Sequence, residues 1–236
     1  VLVVDLHALQ TVNVLHFVND VTCQLVDAQQ TRRQLPGGVG VEPFEPDGLT
    51  SFDLQQQLLY AAQEDDILQG YKLQGRLALG GFGALQQQEM RQVHQAVWQR
   101  LSNWWRDDMP VLPGQVLEMQ AHGVTLHLQW GGEHGMWRMR PDGSALQIDL
   151  RPGKLMTKAQ HPRLDTLCGL WLGHLTANAS GLSTTSLQSG LDGLLVLPAL
   201  SEAEARHLLT DLVDVYRHAW HAPLPLARQT GCAWLI

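Results

Sequence analysis

The sequence predicts an α+β chain, a mixed sheet flanked by helices, and three observations carry that expectation. Apolar residues between positions 53 and 106 recur at helical spacing. Between positions 116 and 151 the period drops to two. Helical spacing then returns after Pro162 and again after Ser201. The composition fits such a fold. The 236 residues are 44% hydrophobic and 17% charged, enough apolar chain to bury a core without a disulfide or metal staple.

In chain order, a short helical stretch is expected near Asp5–Gln10, followed by weak patterning to Gln24. Gln34–Gly48 carries four Gly and three Pro and reads as a linker. Residues 1–41 are therefore read as an N-terminal segment and linker, partly irregular, and residues 42–236 as one compact domain. From Asp53 a helix is expected, with Leu54, Leu58 and Ala62 on one face and Ser51 near its start. The Gln clusters 55–57 and 86–88 read as solvated helix faces. Gly80-Gly81-Phe82-Gly83 lacks the Lys-Ser/Thr of a phosphate loop and reads as a tight turn. A longer helix is expected from about Ala84 to Arg106 on Met90, Val93, Val97, Leu101 and Trp104, ended by Pro110 and Pro113.

Val124, Leu126, Leu128 and Trp130 alternate with Thr125, His127 and Gln129, as a half-buried strand does. Val116–Ala121 is its partner through His122-Gly123, and Pro141-Asp142-Gly143 is a turn between strands at Trp137–Arg140 and Ala145–Arg151. A helix follows Pro162, with Leu164, Leu167, Trp171 and Leu175 on one face, and Leu194–Leu197 is a short strand. Ser201 and Glu204 form a capping box for a last helix, which Pro223 and Pro225 close. This order of elements is also that of restriction-endonuclease-like nuclease cores.

The charge balance narrows the function. A net charge of −7 and an isoelectric point near 5.8 disfavour a free-standing nucleic-acid binder. Three scattered Cys give neither a disulfide framework nor a zinc signature, and fit a reducing, cytoplasmic compartment. No apolar run approaches the roughly 18 residues of a membrane span. Val1 in place of Met and the apolar end Ala233-Trp234-Leu235-Ile236 suggest a fragment cut at both ends from a longer protein.

Most chemistries find no motif. His218 and His221 lie three apart, but no HExxH or paired CxxC accompanies them. Cys168 sits on an apolar helix face and reads as a small core residue, and Ser180–Thr184 is a polar loop, not a nucleophile elbow. A Mg²⁺ nuclease needs at least two carboxylates converging from adjacent strands. Asp149-Leu150-Arg151 puts Asp149 and Arg151 on one face of a strand. Arg stands where a Lys would assist, and the strand taken as its neighbour, Val124–Trp130, has no acid. The plainer reading of Asp149 and Arg151 is a surface ion pair. The sequence thus looks like a nuclease core without its metal site, a degenerate remnant.

Several segments resemble the RecC family, the gamma subunit of exodeoxyribonuclease V. They are Glu42–Leu49 with Leu54 and Leu58-Leu59, Gly81-Phe82-Gly83, Leu150-Arg151-Pro152, Leu170–Leu175 with Ala179-Ser180-Gly181, Ala222-Pro223-Leu224, and Gly231–Leu235. The likeness runs in order through residues 42–236, and the stretch Thr11–Asn19 departs from it. The resemblance implies most of the C-terminal domain of such a subunit, with a restriction-endonuclease-like fold lacking an active site. It implies a scaffold role in Chi-regulated processing of double-strand breaks. RecB and RecD would be the partners, DNA would be met through the assembled complex, and Mg and ATP would be used by the partner subunits rather than by this chain. Two rivals stand beside it: an active Mg²⁺ nuclease pairing Asp149 with Glu118 or Glu133, and a protein-binding module unrelated to DNA.

Two surface expectations complete the reading. Arg138, Arg140, Arg151, Lys154 and Lys158 lie within one short region, the best candidate for any DNA-facing surface. Trp98 and Trp105, seven apart, share a stripe of the long helix that one small core cannot easily hide along with the Val97–Leu101–Trp104 stripe. Either a neighbouring N-terminal segment covers that stripe, or it is a subunit contact, where Trp is enriched.

Overall fold

A computed structural model describes residues 2–3, 48–78, 80–132 and 136–221. The expectations for Asp5–Gln10, Thr11–Asn19, the linker ahead of Gly48, Glu133 and residues 222–236 lie outside the described residues.

Three helices open the body. Helix α1 (Gly48–Leu59) starts five residues before Asp53 and buries Leu54, Leu58 and Leu59. Ala62 lies beyond its end and is exposed. Helix α2 (Glu64–Leu73) is absent from the sequence reading, because its first turn is acidic and only Leu68 and Tyr71 are buried. Glu64, Asp65 and Asp66 at that turn complement the helix dipole. Helix α3 (Gly80–Gln99) includes the glycine cluster, which forms its first turn rather than a turn ahead of it. A Cβ on Gly83 would overlap the Ala78 carbonyl oxygen, so only glycine lets this turn meet the preceding chain. The helix ends at Gln99, not near Arg106. Turns follow, and the Trp105 amide closes one by donating to the Leu101 carbonyl at 2.8 Å. Trp104 and Trp105 therefore stand off the helix axis.

Strands β2 (Gln115–Ala121) and β3 (Val124–Trp130) pair antiparallel in the expected register, Ala121 opposite Val124. Their two-residue loop puts His122 at φ 51° and Gly123 at φ 77°, the left-handed pair that suits a tight hairpin. This hairpin is a separate two-stranded sheet. Val124–Trp130 is thus no neighbour of the Asp149 strand, a correction to the sequence reading.

The main sheet runs, in spatial order, β1 (Leu2–Val3), β7 (Leu194–Leu197), β6 (Thr184–Ser189), β5 (Ala145–Leu150) and β4 (Met136–Met139), with β1 parallel to β7. Strands β4 (Met136–Met139) and β5 (Ala145–Leu150) are antiparallel, joined where Gly143 at φ 82° donates to the Arg140 carbonyl at 3.0 Å. Helix α4 (Cys168–Ala179), after a 3-10 turn at Leu164–Thr166, carries the chain to β6 (Thr184–Ser189), parallel to β5. Strand β7 returns antiparallel to β6. Helix α5 (Glu202–His221) opens with the expected capping box: the Ser201 amide donates to Glu204 Oε2 at 3.1 Å, and the Glu204 amide to Ser201 Oγ at 3.3 Å.

The sheet separates two cores. Leu146, Ile148, Leu150, Leu187 and Val196 pack on Leu59, Val97 and Leu101. Leu195 and Leu197 pack with Leu170, Trp171 and Leu175 of α4, with Leu208, Leu209 and Leu212 of α5, and with Leu117 and Met119 of the hairpin. A polar seam also runs beneath α4. Ser186 Oγ donates to Gln147 Oε1 at 2.7 Å and lies 2.9 Å from His174 Nδ1. Asn178 donates to the Thr184 carbonyl at 3.2 Å, and the Thr184 amide donates back to Asn178 Oδ1 at 3.0 Å. Gly173 permits this closeness, since a Cβ there would stand 2.5 Å from Gln147 Nε2. Burial pushes the His174 imidazole down to about 4, against a hydrogen bond with the Pro198 backbone, so the ring is neutral at physiological pH.

Candidate functional site

Period two along β5 sends Leu146, Ile148 and Leu150 to one face and Gln147 and Asp149 to the other. Arg151 follows with the parity of Asp149, and its Nε donates to Asp149 Oδ2 at 2.9 Å. The pair is as expected, but it is no solvated surface pair. The Asp149 side chain is 21% exposed and that of Arg151 34%. Two further groups reach the carboxylate: Gln188, opposite it on β6, donates from Nε2 to Oδ2 at 2.8 Å, and the Tyr60 hydroxyl donates to Oδ1 at 3.1 Å. The Thr166 carbonyl accepts from Gln188 Nε2 at 2.8 Å and from Arg151 Nη2 at 3.2 Å.

Tyr60 meets β5 at its last residues. The described part of β4 begins at Met136, opposite Ile148, two residues short of Leu150. Side chains at and just after the end of α1 bond the Leu150 backbone. Gln56 Nε2 donates to the Leu150 carbonyl at 2.8 Å, and the Leu150 amide donates to the Tyr60 oxygen at 2.9 Å. Burial, and then the Asp149 charge, push the Tyr60 phenol well above the ordinary tyrosine range. Burial pulls the Arg151 guanidinium down, but Asp149 outweighs it and holds the group above its ordinary value.

The strands that flank Asp149 are β4 and β6, and neither carries an acid in its described residues. Glu118 lies on the separate hairpin, exposed, its carboxylate 3.1 Å from His127. No group of three or more His, Cys, Asp or Glu suited to a metal occurs among the described residues. A divalent cation does not fit at Asp149, because both carboxylate oxygens already accept bonds from the protein and Arg151 brings a positive charge. Tyr60, Gln188 and Thr166 escaped the sequence reading. No spacing rule connects residues 39 and 89 positions from Asp149.

The aromatic and basic expectations meet at a second place. Trp98, Trp105 and Arg138 line a cleft of about 940 Å³ between the helices and the β4 edge. Trp98 and Trp105 meet edge to face at 5.4 Å between ring centres. Arg138 lies 4.7 Å over the Trp105 ring and Arg140 5.3 Å over Trp104, as cation–π pairs. The cleft walls carry charges of both signs: Arg91 pairs with Asp65 at 2.6 Å, and Glu64 lies 2.8 Å from His94 Nδ1, an imidazole that burial pushes below its ordinary value against the Glu64 charge. The five basic residues thus divide. Arg138 and Arg140 lie on tryptophans, Arg151 is committed to Asp149, and Lys154 and Lys158 are exposed on the following segment. Cys168 is buried at the start of α4, as a core residue. No helix among the described residues is long and apolar enough to cross a membrane.

Comparison with known proteins follows this geometry. The family model described as the RecC C-terminal domain matches residues 39–236. The RecBCD enzyme subunit RecC of Escherichia coli (strain K12) is 32% identical over 205 residues, which is 82% of this chain and 16% of that protein. Among solved structures, the crystal structure of SSO0001 aligns with 71% of this chain and 84% of its own at 9% identity and a TM-score of 0.31, too slight a likeness to argue from. The match across nearly the whole domain places this chain in the RecC family, as a C-terminal domain fragment.

Proposed function

We propose that this domain is a non-catalytic scaffold of a RecC subunit, acting within a RecBCD-type helicase-nuclease that processes double-strand DNA ends for recombination in the cytoplasm. The single observation that carries the loss of catalysis is the state of Asp149: it is the one acid on β4–β7 among the described residues, and its two oxygens are engaged by Tyr60, Arg151 and Gln188. The order of the sheet supports a restriction-endonuclease-like ancestry. An antiparallel pair β4–β5 is followed by a helical crossover to the parallel strand β6. RecB and RecD would then supply ATP hydrolysis, RecB the nuclease, and both the need for Mg. The cleft at Trp98 and Trp105 suits a subunit contact better than DNA. Its floor is aromatic, its charges are mixed, and two of the five basic residues are stacked on tryptophans.

The test uses the full-length subunit, alone and assembled with its partners. We expect no cleavage of DNA by the subunit alone in Mg²⁺ or Mn²⁺, and unchanged ATP-dependent nuclease activity of the complex when Asp149→Ala is introduced. Metal-dependent cleavage by the subunit alone that vanishes in Asp149→Ala would overturn the reading.

A further inference from the structure

In the Asp149 cluster a protein nitrogen stands where an oxygen ligand of a cation would stand. Gln188 Nε2 stands 2.8 Å from Asp149 Oδ2 and 2.8 Å from the Thr166 carbonyl oxygen, donating to both. Neighbouring oxygens on an octahedral Mg²⁺ lie about 2.9 Å apart, the edge that follows from metal–oxygen distances of 2.0–2.1 Å. An oxygen in place of Nε2 would therefore stand at ligand spacing from a carboxylate and a backbone carbonyl at once. Such oxygens repel unless a cation or a proton joins them. In this chain the need is met internally, since the Gln188 amide and the Arg151 guanidinium point their hydrogens at the same acceptors. Gln188 is fully buried, whereas Asp149 and Arg151 keep 21% and 34% of their side-chain surface.

We propose that Gln188 and Arg151 act as a built-in substitute for a divalent cation between Asp149 and the Thr166 carbonyl, and that Gln188 is the residue barring the metal. The inference rests on the pseudo-nuclease reading and adds to it which side chain closes the site. A carboxylate at position 188 has no hydrogen to give Asp149, and the two acids can then be reconciled by a metal. Replacing Arg151 by a neutral residue of similar reach removes the competing positive charge.

The experiment measures Mn²⁺ binding by electron paramagnetic resonance on the full-length subunit, comparing the parent, Gln188→Glu/Arg151→Gln, and that double variant with Asp149→Asn added. The expected result is one more Mn²⁺ bound by the double variant, with at least tenfold higher affinity than any Asp149-dependent binding in the parent, and its loss in the triple variant. Should the double variant unfold without metal, millimolar Mn²⁺ is expected to restore a cooperative melt. A folded double variant that binds no more Mn²⁺ than the parent overturns the proposal, as does one that stays unfolded in Mn²⁺. Asp149-dependent Mn²⁺ binding by the parent is a different failure, because it strikes the pseudo-nuclease reading itself.

Discussion

Tyr60→Phe removes one oxygen atom from the end of β5. That oxygen accepts from the Leu150 amide at 2.9 Å and donates to Asp149 Oδ1 at 3.1 Å. Asp149 keeps Arg151 and Gln188, so its loss is small. The Leu150 amide loses its acceptor, and leaving a buried donor unpaired costs about 1–3 kcal/mol. Tyr60 as a residue is 41% exposed, so water reaches part of the vacated space and the lower half of that range applies. A cost of about 1.4 kcal/mol corresponds to tenfold in the local opening equilibrium. Hydrogen exchange of the peptide covering residues 145–151, measured in the full-length subunit, should therefore quicken about tenfold, with peptides of α5 unchanged. The alkaline limb supplies a second reading. The folded phenol is raised above its unfolded value, so its contribution is complete below about pH 10 and is lost as pH climbs toward the folded value. Tyr60→Phe should flatten that limb. Unchanged exchange at Leu150 together with an unchanged alkaline limb would refute the claim that the hydroxyl completes the strand end.

His174→Gln should remove an acid-sensitive step. The imidazole is depressed to about 4 by burial, so its contribution is full above about pH 6.5, is lost as pH falls toward 4, and amounts to about 3 kcal/mol by linkage. Melting of parent and variant between pH 4 and 7 tests this, and parallel profiles would refute it. Trp105→Ala should leave folding cooperative and weaken assembly with the partner subunits by about 2 kcal/mol, the scale of an interface hot spot; equal assembly in a co-purification titration would return Trp105 to the fold alone. Gly83→Ala should destabilise by about 2 kcal/mol through overpacking against the Ala78 carbonyl, read as a lower melting temperature, and a neutral effect would mean the first turn of α3 can shift freely.

Legibility followed the visibility of each residue's partner in the local chain. The β2–β3 hairpin was readable because its alternation and its two-residue loop are local. The capping box at Ser201 was readable for the same reason. Strand β6, Thr184–Ser189, escaped because it is polar yet buried. Its Ser186 hydroxyl bonds Gln147 and His174, its Thr184 amide Asn178 and its Ser189 hydroxyl the Val97 carbonyl, partners that no hydrophobic pattern announces. The length of α3 was overestimated because helical spacing persists through Leu101 and Trp104, where the backbone has already turned. At the candidate site, the Asp149–Arg151 pair was visible at spacing two. Its depth was not, because that depends on what packs beside β5: the turn at Pro141-Asp142-Gly143 announced β4, but β6, which supplies Gln188, was not visible as a strand. The convergence of Trp98, Trp105 and Arg138 likewise depends on how α3 packs against β4.

The polar seam beneath α4 also determines how this domain handles force. Where a helix rests on a sheet through oily side chains alone, it can slip along its axis by one turn, about 5.4 Å, and find new contacts of the same kind. Helix α4 has no such freedom. A slip one way brings Leu170 over Ser186 and Gln147, and a slip the other way carries Asn178 off Thr184. Each displaced group would be stranded at a cost of about 1–3 kcal/mol. The crossover helix therefore behaves as a keyed strut rather than a sliding bolt. A load applied by a neighbour at either face of the domain would pass through to the other side rather than be absorbed as creep between layers.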